Sequence, residues 1–84
     1  MTRFFFDTGD KGDLMRDVTG LELPNLEAAR LEAIKALPGI ACELLAQDCT
    51  RRRDITADVR DRAGRRLFTA HLVFEARWLN ESRC

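Results

Sequence analysis

The sequence predicts an α+β fold: a small antiparallel sheet with one kinked or broken helix packed on one face. Three observations carry this reading. Short strand-like segments separated by Gly and Asp open the chain, apolar residues at helical spacing occupy its middle, and a period-two alternation over eleven residues, 68–78, runs near its end. Strands first, helix next and hairpin last is the order of an α+β domain, with 1–84 read as one domain.

Arg3 to Asp7 reads as the first strand, because three consecutive Phe favour extended backbone and the tract is too short for a helix. Alternation puts Phe4 and Phe6 on one face and Phe5 on the other. Asp7 to Asp13, with Gly9 and Gly12, reads as a turn region. Leu14 to Val18 reads as the hairpin partner of the first strand, and Leu21–Leu23 as a short third strand. Asn25 is placed to cap a helix, with Glu27 in the first turn where the helix dipole favours an acid. Leu26, Ala29, Ala33, Ala36 and Leu37 form its apolar stripe, and Leu31 lies off it. Pro38 predicts an end near Leu37, followed by a second helix to about Gln47 that buries Ile40, Ala41, Leu44 and Leu45; a single kinked helix is the alternative.

After a polar connection from Asp48 to Arg53, Ile55, Ala57 and Val59 alternate inward on a strand that turns at Asp61–Gly64. On the final strand Phe68, Ala70, Leu72, Phe74, Ala76 and Trp78 share one face; Thr69, His71, Val73, Glu75 and Arg77 share the other. Phe74 is expected in the core, where truncation to Ala costs about 3–5 kcal/mol. Asn80 to Cys84 reads as a frayed tail.

No apolar run approaches the ~20 residues of a membrane span, and the three-residue Phe tract is too short for a signal peptide. The odd cysteine count and irregular spacing of Cys42, Cys49 and Cys84 give no disulfide framework, so free thiols in a reducing cytoplasm are expected. Basic and acidic side chains are equal at 14 each, but residues 1–50 carry five basic against nine acidic groups and residues 51–84 the reverse excess, nine Arg against five acids. Such asymmetry either marks a binding face or is neutralised between the two halves, in the fold or across a dimer.

Several words of the chain resemble a family of short bacterial proteins of unknown function, common in rhizobia and their relatives. They are Arg3-Phe4-Phe5-Phe6, Arg16-Asp17 followed by Gly20, Glu22 to Arg30, and Ala36 to Ala41. Val59 to Arg65 is similar to the family's V-R-D-E-A-G-R hairpin, and Trp78-Leu79 to its closing strand. The departures are Asn25 for Asp, Gly39 for Glu and Arg62 for an acid. The resemblance covers nearly the whole chain and implies a fold without implying a catalytic residue. In architecture alone, the hairpin and helix start are also similar to HicB-type antitoxin domains.

The residues that carry chemistry are few. His71 has no neighbouring nucleophile in sequence and reads as an ordinary surface or edge histidine. Cys42 and Cys49 lack zinc spacing, with Cys42 read as a small core residue, and Asp7, Asp10 and Asp13 fail the ligand pattern of a calcium loop. No phosphate loop, nucleophile elbow or redox Cys pair occurs, so no cofactor and no enzymatic activity are expected. Arg51, Arg52, Arg53, Arg60, Arg62, Arg65 and Arg66 are the candidate contacts for a partner or a nucleic acid, since guanidinium groups suit phosphate and a basic β-ribbon fits a major groove. Asp54, Asp58 and Asp61 interleave with them, which favours ion pairs over phosphate contact. The sequence is therefore read as a non-enzymatic, self-associating interaction module, a dimer that can also take a protein partner. The alternative is a small regulator that contacts nucleic acid through the arginine hairpin.

Overall fold

The computed structural model describes residues 1–45, 52–77 and 79. Five strands and one helix follow in the order β1 (Thr2–Asp10), β2 (Asp13–Met15), β3 (Leu21–Leu23), α1 (Leu26–Leu45), β4 (Arg52–Arg60) and β5 (Arg66–Glu75). All pairings are antiparallel: the order is β2-β1-β4-β5, and β3 pairs with the start of β1. The α+β expectation is met by one helix on one small antiparallel sheet.

The core lies between α1 and one face of the sheet. Phe4 contributes from β1, Ile55, Ala57 and Val59 from β4, and Ala29, Ala33, Leu37 and Ala41 from the helix. Three of the four buried helical residues are alanines, so the helix comes close to the sheet and β4 supplies the bulk. Asn25 caps α1 as expected: its Oδ1 accepts the Ala28 N–H at 2.9 Å. Leu31, off the stripe, is exposed.

The structure corrects the reading in four places. Thr8, Gly9 and Asp10 belong to β1, and the turn shrinks to Lys11-Gly12, because β1 pairs with β4 as far as Asp10↔Ile55. The second strand stops at Met15, and Arg16–Gly20 form a loop to β3. The helix is not broken at Pro38: α1 is continuous through it. Leu37 and Ala41 on the buried side anchor both halves to the sheet, while Pro38 is exposed, where water can take up the carbonyl that proline leaves unpaired. Finally, Phe74 is not core. It is 36% exposed, because the cluster on β5 ends with Phe68 and Ala70. The residues from 46 to Arg51, which hold the expected helix end at Gln47, the start of the polar connection and Cys49, lie outside the described residues, as do Trp78 and the tail from Asn80 to Cys84.

Gly20 and Gly64 stand where the backbone requires glycine. At Gly20, φ is +77°, and a Cβ would come within 2.9 Å of the Arg3 and Phe5 side chains. At Gly64, φ is +92° in the β4–β5 turn, where its N–H donates to the Asp61 carbonyl at 3.0 Å. A bulge beside this turn pairs Val59 with Phe68 but Arg60 with Arg66, so Leu67 is the extra residue. Arg66 thereby turns to the face opposite the helix, the face of Arg60.

Candidate functional site

The candidate arginines do not form one basic surface. Arg52 pairs with Glu75 at 3.4 Å, and Arg53 with Asp10 at 2.5 Å. Arg65 pairs with Asp61 at 2.9 Å, and Arg66 lies 3.7 Å from Asp58. The Arg65 backbone N–H, and after it the guanidinium, hold the Asp61 carboxyl below its ordinary range against a smaller opposing effect of burial. Arg62 has no charged partner among the described residues; Arg51 lies outside them. The two ion pairs Arg53–Asp10 and Arg60–Asp7 join the basic second half to the acidic first half, so part of the charge asymmetry is spent inside the fold.

Arg60 departs furthest from a surface contact. It is 6% exposed, on the sheet face opposite the helix. Its Nε donates to Asp7 Oδ2 at 2.9 Å, its Nη2 to the Asp17 carbonyl at 2.5 Å, and its guanidinium carbon lies 4.7 Å from the Phe5 ring centroid. Asp17 completes the knot. Its Oδ2 accepts the Phe6 N–H at 3.0 Å, and its Oδ1 accepts the N–H groups of Thr19 and Gly20 at 3.0 and 3.1 Å. Its own N–H donates to Asp7 Oδ1 at 2.8 Å. Phe6 lies between the β1 residues paired to β2 and those paired to β3, so this carboxylate serves a backbone donor where the ladder is interrupted. Burial opposes the charge on Asp17, but the N–H donors of Gly20, Phe6 and Thr19, together with Arg60, outweigh it and hold the carboxyl below its ordinary range. The sequence signal for this knot was present in Arg16-Asp17 and Gly20, but the two aspartates had no assigned partner.

Thr56, Asp58 and Arg60 form a buried polar row on that same face. Thr69 donates to Asp58 Oδ1, and Thr56 Oγ1 lies 3.1 Å from His71 Nδ1. Asp54 Oδ1 lies 3.3 Å from the same nitrogen but lacks hydrogen-bond geometry to it. Both neighbours therefore meet one ring atom. A relay from carboxylate through imidazole to hydroxyl needs opposite nitrogens, so this Asp–His–Thr group cannot act as a nucleophilic triad. Cys42 is exposed on α1 rather than packed in the core as a small apolar residue would be. Among the described residues no cluster of His, Cys, Asp and Glu has the arrangement of a metal site. An open depression of about 370 Å³ bounded by Arg3, Glu22, Asp61 and Arg62 mixes both signs of charge. No helix among the described residues is long and apolar enough to cross a membrane.

The remaining feature is β5 itself. It closes the sheet on one side and, among the described residues, pairs with β4 alone. Its ten residues contain no Pro and no Lys. Leu72, Val73 and Phe74 stand exposed in succession near its end, with Val73 at 50%.

A family model described as a domain of unknown function, DUF6894, matches residues 3–73. No curated protein and no solved structure matched the chain.

Proposed function

Since the chain belongs to the DUF6894 family, which is defined by sequence and not by an activity, we propose from its geometry that it is a non-enzymatic interaction module that self-associates in the cytoplasm. The observation that carries this reading is the edge of β5: ten residues with one side unpaired among the described residues and three consecutive apolar side chains exposed. An edge of this length without Pro or Lys is a template for another strand. The titratable groups add support, for His71 and its neighbours are arranged for structure and not for proton relay. Molecular mass by light scattering, from low to high micromolar concentration, tests the proposal. A mass rising to twice 9.6 kDa is expected; a monomer at high micromolar concentration overturns it.

A second reading rests on the hairpin tip, where Arg62 lacks a charged partner among the described residues and the Arg65 and Arg66 side chains are 79% and 71% exposed. Contact with nucleic acid through this tip predicts retention at low salt that falls steeply as salt rises. No retention of DNA or RNA at low salt removes it.

A further inference from the structure

We infer that two copies join through their β5 strands, antiparallel about a two-fold axis at His71, into one continuous sheet. This rests on the self-association proposed above and specifies its surface and register.

The strand is self-complementary when reversed. A two-fold axis perpendicular to the sheet keeps both helices on one side and pairs like face with like face. With His71 opposite its own copy, Ala70 stands opposite Leu72 of the second copy, and Phe68 opposite its Phe74. On the other face Thr69 stands opposite Val73. Small meets large on the helix side, an aromatic pair forms at each end, and the exposed Leu72, Val73 and Phe74 all gain neighbours.

Charge fixes the same register. Arg66 and Glu75 are the only formally charged residues of β5, one at each end. The bulge at Leu67 turns Arg66 to the face opposite the helix, which Glu75 shares. Reversal about His71 brings Arg66 of each copy beside Glu75 of the other, so the pair forms twice. Within one copy Arg66 lies 3.7 Å from Asp58 with its own side chain largely exposed, and the half-exposed Glu75 lies 3.4 Å from Arg52 and 3.3 Å from Arg77. A strand order of β2-β1-β4-β5 followed by its reverse also leaves no ten-residue edge exposed.

The test compares dimer dissociation constants by sedimentation equilibrium for the wild-type chain, Val73→Lys, Glu75→Arg and the double variant Arg66→Glu/Glu75→Arg. Thermal unfolding of each variant confirms that it folds, since all three positions are exposed. Val73→Lys and Glu75→Arg are each expected to weaken the dimer about tenfold, because two-fold symmetry counts each change twice. The double variant restores the opposite signs and is expected to return within about threefold of wild type. A wild-type monomer overturns self-association and this inference together. A wild-type dimer indifferent to Val73→Lys and Glu75→Arg overturns the β5 surface and leaves self-association standing. Weakening by Glu75→Arg that Arg66→Glu does not rescue overturns the register.

Discussion

Arg60 and Asp7 lie 53 positions apart in the chain, yet their side chains meet at 2.9 Å, each nearly enclosed, on the sheet face away from the helix. Arg60→Ala leaves the Asp7 carboxylate without its cation, and breaking a buried pair in this way costs about 3–5 kcal/mol. It also removes the donor to the Asp17 carbonyl and the cation that lies against Phe5. A urea titration measures the loss. A change below about 1 kcal/mol would mean that the pair behaves as a surface ion pair.

Asp17 makes stability depend on acid. Its carboxyl titrates below the ordinary value of 3.8 in the folded chain, so the unfolded chain binds that proton more readily. The stabilisation is complete above about pH 5 and drains away as pH falls through the folded value. Asp17→Ala is expected to lower stability at neutral pH and to flatten the acid limb below about pH 5. Urea midpoints across that range check it; an acid limb as steep as wild type would assign the sensitivity to other carboxylates.

Ile55 and Phe74 separate the true core from the apparent one. Ile55 is fully buried, and Ile55→Ala is expected to cost about 2–5 kcal/mol. Phe74→Ala, measured at a dilution where the chain is monomeric, is expected to cost about 1 kcal/mol or less, since surface substitutions away from packed contacts have small effects. Equal losses at the two sites would place Phe74 back in the core.

Pro38→Ala restores a missing helical N–H at an exposed position. Proline in a helix interior is about 3 kcal/mol less favourable than alanine, and a gain of about 1–3 kcal/mol is expected. Thermal unfolding followed by circular dichroism gives the value, and no gain would mean that the surrounding helix has already adapted to the proline.

The order of elements was legible wherever one physical rule governed: the Asn25 cap, the Ile55-Ala57-Val59 face and the Gly64 turn all follow from residue type and spacing. The errors arose where tertiary contacts override local preference. Pro38 argued for a break, but Leu37 and Ala41 hold the helix to the sheet on either side of it. The apolar alternation of β5 continues past Ala70, and alternation alone does not tell how far a helix covers a strand. The arginines were visible as a cluster, while Asp7 and Asp10, the partners of Arg60 and Arg53, lie in the first strand, more than forty positions away. No local pattern states such a pairing.

The pairing of the first strand with the fourth also sets a schedule for synthesis. β1 ends at Asp10, but its partner β4 begins only at Arg52. At about 5–20 residues per second, several seconds separate their release from the ribosome. During that interval Phe4, Phe5 and Phe6 have only β2, β3 and the nascent helix to shelter them. The β2 and β3 segments lie within the first 23 residues and pair with the two ends of β1, so they are available early. On this account the short β1–β2 and β1–β3 pairings keep the most aromatic segment of the chain occupied until the strand that completes the sheet arrives.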